Sequence, residues 1–208
     1  MLMCGRYTLY SETEDQEIRR IVAAVNRRYD EQIKPGDILP SDLAPVICGD
    51  RRDINQNLLE LMNWGYENPF KKGLIINARS ESILEKSLFH DDFKQRRCLI
   101  PATGFYEWDT EKRQYLFQTD QLLYLAGIYR SFMGSNKFVI LTKPPNETVK
   151  TVHNRMPVLI PPAQRDEWLK DLTAAVELTK NDTVTLTGQV VNQVRVNTQI
   201  KFPLDYES

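Results

Sequence analysis

The feature that most limits how this chain can fold is the brevity of its apolar runs. Pro45–Cys48, Leu58–Trp64, Leu74–Asn77, Cys98–Ile100, Gly104–Trp108, Tyr115–Thr119, Leu122–Tyr129, Lys137–Thr142 and Met156–Ile160 each hold about a strand's length of apolar, β-branched or aromatic residues. Runs of that length spaced along a chain predict strands that must pair with one another to bury their faces. Helical periodicity is confined to a few places. Residues 11 to 28 predict an amphipathic helix, with Ser11 and Glu14 as a capping box and Ile18, Ile21, Val22 and Val25 at helical spacing. A second helix is predicted over Ala163–Asp171, opened by Pro161-Pro162 and carrying Trp168 and Leu169, and one or two short helices between Ser80 and Arg97. Residues 35 to 45, broken by Pro35, Gly36, Pro40 and Pro45, read as loop. Many short strands with few helices place the chain in the α+β class. The expected architecture is one domain, residues 1–208, with a barrel-like, mostly antiparallel core flanked by short helices.

Composition excludes several classes of function. Hydrophobic residues make up 41% and charged residues 26% of the chain, an ordinary globular balance. No apolar run approaches the roughly 20 residues that span a bilayer, and the start, Met-Leu-Met-Cys-Gly-Arg, has no secretory pattern. A soluble, cytoplasmic protein without a membrane partner is expected. The 3 cysteines, Cys4, Cys48 and Cys98, are odd in number and never form CxxC, which favours a reducing compartment. With only His90 and His153 as imidazoles, no metal-ligand spacing is present and neither metal nor cofactor is expected. A net charge of −1 argues against charge-driven binding to long duplex DNA and restricts any nucleic-acid partner to a short segment at a shaped site.

Four motifs carry chemistry. Cys4 lies in Met3-Cys4-Gly5-Arg6-Tyr7, where a small residue after Met favours removal of the methionine. As an N-terminal residue, Cys4 would present a thiol and a free α-amine on adjacent carbons, a 1,2-aminothiol that condenses with aldehydes. Its amine, with a pKa near 7.7–8.0 against about 10.4 for lysine, is partly neutral and nucleophilic at neutral pH. The plainer alternative is a buried thiol at the start of the first strand. Glu107, in Gly104-Phe105-Tyr106-Glu107-Trp108, shares a strand face with Phe105, while Tyr106 and Trp108 share the other. A carboxyl amid apolar neighbours either faces water or has a specific partner, and burial would raise its pKa toward the range useful for proton transfer. Asn77-Ala78-Arg79-Ser80-Glu81 puts an amide and a guanidinium at a strand end, suited to orienting a reacting group and clamping a phosphate, or to capping and a surface ion pair. His153-Asn154-Arg155-Met156-Pro157 puts an imidazole, either a proton carrier or a hydrogen-bonded core histidine, two residues before a guanidinium.

The order of these motifs says more than any one of them. Cys4-Gly5-Arg6-Tyr7, Trp64-Gly65, Asn77 to Glu81, Arg97-Cys98-Leu99-Ile100-Pro101-Ala102, Gly104 to Trp108 and His153 to Pro157 together closely resemble the SRAP family, the SOS response-associated peptidases, also described as abasic-site processing proteins. The resemblance runs from Cys4 to about Pro162. It implies a cleft that binds single-stranded DNA containing abasic sites. There the cysteine exposed by methionine removal closes a thiazolidine on the ring-opened sugar aldehyde, with a possible lyase side activity and self-processing. By motif, the resemblance makes Cys4 the nucleophile, Asn77 the residue orienting amine and sugar, Glu107 the proton shuttle and His153 the acid–base group for ring opening and reversal. It makes Arg6, Arg79 and Arg155 phosphate contacts and Trp64 an apolar contact to bases or sugar. No cofactor is implied, and a monomer is expected.

The chain departs from the family pattern in its Met1-Leu2-Met3 leader, which makes Cys4 the fourth residue, in the proline-rich Thr142-Lys143-Pro144-Pro145-Asn146, and in residues Asn197 to Ser208. The competing reading is a cysteine peptidase with Cys4 as nucleophile, His153 as base and Asn77 as orienter or oxyanion donor. A third is a non-catalytic single-strand binder built on arginines and aromatics.

Overall fold

The computed structural model describes residues 4–9, 16–29, 36–50, 53, 56–119 and 121–191. The leader, the Ser11–Glu14 capping box and the divergent C-terminus lie outside them. In chain order the elements are β1 (Tyr7–Leu9), α1 (Gln16–Tyr29), β2 (Gly36–Ile38), β3 (Leu43–Gly49), β4 (Asn57–Trp64), β5 (Tyr66–Glu67), β6 (Leu74–Ile75), β7 (Asn77–Arg79) and α2 (Ser87–Gln95). There follow β8 (Arg97–Ala102), β9 (Gly104–Trp108), β10 (Gln114–Gln118), β11 (Leu123–Phe132), β12 (Ser135–Lys143), α3 (Glu147–Lys150), β13 (Met156–Pro157), β14 (Leu159–Ile160), α4 (Arg165–Lys170), α5 (Leu172–Leu178) and β15 (Thr187–Val190).

The short strands solve their burial problem by closing on themselves. β4, β3, β8 and β11 pair antiparallel in that order, β11 pairs antiparallel with β12, and β12 returns to β4 in parallel, completing a five-stranded barrel. One register line runs round most of the wall, from Leu58 through Cys48, Cys98 and Gly127 to Ile140. Gly127 is required there. A Cβ on it would lie 2.4 Å from Ile100 Cδ1 and 3.0 Å from both Cys98 Sγ and the Val139 carbonyl oxygen. Trp64 and Phe138 stack within the core with centroids 6.3 Å apart, and Tyr7 tilts against Trp64 at 5.4 Å. The indole N–H of Trp64 donates to the Ile76 carbonyl at 3.0 Å, so its one polar atom is satisfied.

A second sheet, in the order β15-β10-β9-β1-β2, is joined to the barrel by the single residue Thr103 between β8 and β9. The Thr103 N–H donates to the Thr8 carbonyl at 2.7 Å, fastening β1 at the junction. On the other side of the barrel, β11 and β12 part and Val158 bridges them. Its N–H donates to Leu141 O, and its carbonyl accepts from Ala126 N–H. β13 and β14 continue from it on either side, pairing with β12 and β11 respectively. β7 extends the wall along β12 beyond the end of β4.

Several local expectations are corrected. The expected loop at 35–45 contains β2 and the start of β3. Gly36–Ile38 is held by cross-strand pairing with β1, a non-local interaction that outweighs local turn signals. Pro45 is accommodated where β3 pairs with β4 but not with β8. The run Leu74–Asn77 breaks at Ile76, whose carbonyl accepts from Trp64 Nε1 and Ile140 N, and the run Met156–Ile160 breaks at Val158. The helix expected over Ala163–Asp171 is a 3₁₀ turn at Pro162–Gln164 followed by α4, and Asp171 then caps α5 by accepting from the N–H groups of Thr173 and Ala174.

Candidate active site

The site lies where β1 meets β9. The register Tyr7↔Phe105 and Thr8↔Gly104, continued by the Tyr106 N–H donating to the Arg6 carbonyl at 2.9 Å, carries Cys4 to the neighbourhood of Glu107. Cys4 N donates to Glu107 Oε1 at 2.8 Å, a buried contact between residues 103 positions apart. Cys4 is 0% exposed and Glu107 1% exposed. The alternation expected for β9 holds. Phe105 stacks on Phe117 on one face, and on the other Tyr106 and Trp108 lie 6.3 Å apart.

Burying a carboxyl disfavours its charged form, and burial raises Glu107 from an ordinary 4.5 to about 8, against the opposing pull of the Cys4 and Trp108 N–H groups. The same burial, reinforced by the charge of Glu107, holds the Cys4 thiol well above its usual range. Cys4 also has φ +37, the left-handed region that costs a side chain on the order of 1 kcal/mol. The other two cysteines are buried as well, with desolvation raising both; Cys48 reaches about 11. Burial thus favours the protonated thiol at all three.

His153 reaches the site from the loop before β13. It follows α3, which Asn146 caps, and its N–H donates to the Val149 carbonyl at 2.9 Å. Its Nδ1 lies 3.8 Å from Glu107 Oε2, beyond direct hydrogen-bond length, and 3.2 Å from both the amide nitrogen and the carbonyl oxygen of Arg155. The structure thus brings together Cys4, Glu107 and His153, with the carboxyl in the middle. Asn77 begins β7 and pairs with Ile140, half-buried, and its motif is tied to the His153 loop through Glu81 and Arg155.

The expected DNA contacts divide. Arg79 is exposed at the end of β7, and Arg6 is partly exposed, 5.7 Å over the rings of both Tyr106 and Trp108 and 3.4 Å from Asp37. The other two are buried. Trp64 is 0% exposed, packed against Tyr7 and Phe138, and presents no open face to a base. Arg155 is 8% exposed, with both terminal nitrogens on Glu81 and one also on Thr142, so its guanidinium already has partners.

The sequence reading passed over the β5–β6 hairpin. There Phe70 is 85% exposed, Lys71 and Lys72 are exposed beside it, and the turn is set by Asn68 Oδ1 accepting from the Phe70 N–H at 2.9 Å and by Gly73 at φ +120. The signal was present in Asn68-Pro69-Phe70-Lys71-Lys72-Gly73: turn residues at both ends, with an aromatic and two cations between them. Among the described residues no group of three or more His, Cys, Asp or Glu could hold a metal ion, and no helix is long and apolar enough to cross a membrane.

The sequence profile of the SOS response associated peptidase (SRAP) family matches residues 3–202. The chain is 33% identical over 186 residues to the abasic site processing protein YoaM of Bacillus subtilis, covering 80% of this chain and 79% of the relative. It is 26% identical over 181 residues to YedK of Escherichia coli, also named an abasic site processing protein, covering 81% and 80%. Among solved structures, a Bacteroides thetaiotaomicron protein shares the fold at TM-score 0.71 and 18% identity, covering 91% of this chain and 93% of its own. A phage-related protein from Bordetella bronchiseptica does so at TM-score 0.69 and 22% identity, covering 91% and 95%.

Proposed function

The chain belongs to the SOS response associated peptidase (SRAP) family, whose relatives are named for abasic-site processing, and from that premise we propose that it captures the sugar aldehyde of abasic sites in single-stranded DNA as a covalent adduct on Cys4. The observation that carries this reading is the 2.8 Å contact between the Cys4 nitrogen and a buried carboxyl. A cysteine peptidase needs its thiol beside a base that lowers its pKa. Here the group touching Cys4 is an acid, it touches the nitrogen, and the thiol is pushed up.

In the proposed reaction the Met1-Leu2-Met3 leader is removed and Cys4 N becomes an amine. The amine adds to the aldehyde carbon. Glu107, which holds its proton at neutral pH, gives it to the departing hydroxyl, and water leaves the imine. The thiol then gives its proton to the Glu107 carboxylate and adds to the carbon of the protonated imine, the C=N electron pair returns to the nitrogen, which keeps its one hydrogen, and the thiazolidine ring closes with the net loss of one water. His153, 3.8 Å from the other carboxyl oxygen, serves the sugar oxygen in ring opening and in reversal. Asn77 orients the amine and the sugar. The reaction balances with these side chains alone. Arg6 and Arg79 contact phosphates, and Phe70 with Lys71 and Lys72 offers a stacking face and charge to neighbouring nucleotides. The whole chain acts as one domain and as a monomer in the cytoplasm, with strand cleavage at the imine stage as a side activity.

The test is a denaturing gel of the protein with single-stranded DNA containing one abasic site. Protein starting at Cys4 gives a covalent band; Cys4→Ala, or Cys4 with its amine acetylated and its thiol free, gives none while retaining affinity. An acetylated protein that crosslinks at the full rate defeats the proposal. Peptide cleavage that survives acetylation supports the peptidase reading instead.

A further inference from the structure

The guanidinium of Arg155 follows the imidazole of His153 by two residues, yet it turns inward. Its Nη1 and Nη2 meet Oε1 and Oε2 of Glu81, the latter pair at 2.8 Å, and Nη2 also donates to the carbonyl and hydroxyl oxygens of Thr142 at 2.7 and 3.2 Å. Thr142 itself pairs with Arg79 of β7 on one side and Pro157 of β13 on the other. Arg155 also holds the ring directly, its amide nitrogen 3.2 Å from His153 Nδ1. One side chain therefore joins the Asn77–Glu81 segment, the end of β12 and the loop bearing the imidazole. The carboxylate of Glu81 is 46% exposed in front of it, and the hydrogen bond from Arg155 holds Glu81 below the usual carboxylate range. An approaching phosphate would meet that negative charge before the guanidinium.

Resting on the abasic-site reading above, we propose that Arg155 and Glu81 form a positioning pair that fastens the Asn77 segment to the His153 loop and so sets the imidazole against Glu107, in place of a phosphate contact at Arg155. A bidentate guanidinium–carboxylate pair fixes angle as well as distance, which a lysine cannot reproduce. Misplacing a reacting group by about 1 Å can slow chemistry on the order of 100-fold, so the pair has leverage without touching the substrate.

The two roles for Arg155 predict opposite signs for Glu81→Gln. If Arg155 binds phosphate, removing the competing carboxylate tightens DNA binding and leaves crosslinking at least as fast. If the two form a positioning pair, Glu81→Gln and Arg155→Met each slow adduct formation by up to about 100-fold. The double variant is then no slower than the worse single one, and the dependence of affinity on salt is unchanged. The chain has 2 histidines, so proton NMR reads each ring separately: Glu81→Gln should move the His153 signals and leave those of His90 in place. Glu81→Gln crosslinking at the wild-type rate, or Arg155→Met lowering the salt slope by about 0.7, overturns the proposal. Should Arg155→Met fail to fold, Arg155→Lys carries the test, expected slow with a wild-type salt slope. Absence of any adduct from wild-type protein would defeat the abasic-site reading instead, and the His153 signals in Glu81→Gln would still decide the pairing.

Discussion

Replacing Glu107 with glutamine should make the protein more stable in alkali while removing its chemistry. The side chain is 1% exposed, and burial raises its pKa from 4.5 to about 8. The folded state therefore keeps this proton up to about pH 8, whereas the unfolded chain releases it near 4.5. Between those values the folded state binds more protons, so stability falls as pH rises, by about 1.4 kcal/mol per pH unit. Across the window this amounts to roughly 4–5 kcal/mol, a large share of the roughly 5–15 kcal/mol that holds a domain folded. Glutamine keeps the shape and an oxygen to accept from Cys4 N–H but has no proton to lose. The assay is urea unfolding of both proteins from pH 4 to 9. The difference between wild type and Glu107→Gln should be flat below about 4.5, drift against wild type through the window, and level off above 8. Adduct formation, followed in parallel, should slow about 100- to 10,000-fold in the variant, the usual scale of acid–base catalysis. Parallel stability curves would show that Glu107 carries no displaced proton, and the acid role assigned to it would fall with them.

Other perturbations probe the frame and the DNA surface. Asp92 is 0% exposed and pairs with Arg96, with Arg130 and, at 3.1 Å, with the Tyr66 hydroxyl, so Asp92→Ala should cost about 3 kcal/mol in denaturant unfolding by leaving two guanidinium groups without their anion. A loss under about 0.5 kcal/mol, the range of an ordinary surface change, would show that the network contributes nothing net. Gly127→Ala should cost about 1–3 kcal/mol, because the new methyl meets the Val139 carbonyl oxygen as well as Ile100; an unchanged melting temperature would mean that the wall has slack. Arg79→Ala should weaken single-strand binding and lower the slope of affinity against salt by about 0.7, so an unaltered slope would remove it from the phosphate contacts.

The sequence made the local chemistry legible and left the long-range placement hidden. The alternation in Gly104–Trp108 correctly put Phe105 and Glu107 on one face, because a strand's period is local. Whether that face was buried was not local: it depends on what packs across it, Cys4 at Glu107 and Phe117 at Phe105. The burial of Trp64 and Arg155 was hidden for the same reason. An indole and a guanidinium suit both a core and a nucleic-acid surface, and the choice was made by the parallel pairing of β4 with β12 in one case and by Glu81 in the other. The closed barrel also hangs on that parallel pair, which no hairpin signal announces. β2 was lost beneath Gly36 and Pro40, whose local message is a turn, and α5 was missed because the expected helix stopped at Asp171, which ends α4 and also caps α5. Phe70 carried a readable turn signature but no periodicity.

The lone threonine between β8 and β9 sets a mechanical limit on this molecule. With only one residue of slack, the strand bearing the carboxyl cannot drift from the barrel wall without pulling that wall apart. Amide exchange at Glu107 should therefore be as slow as in the barrel strands, and exchange at the rate of an open loop would show that β9 moves on its own. In the proposed reaction an aldehyde would meet a carboxyl already in place, with none of its binding energy spent on ordering it.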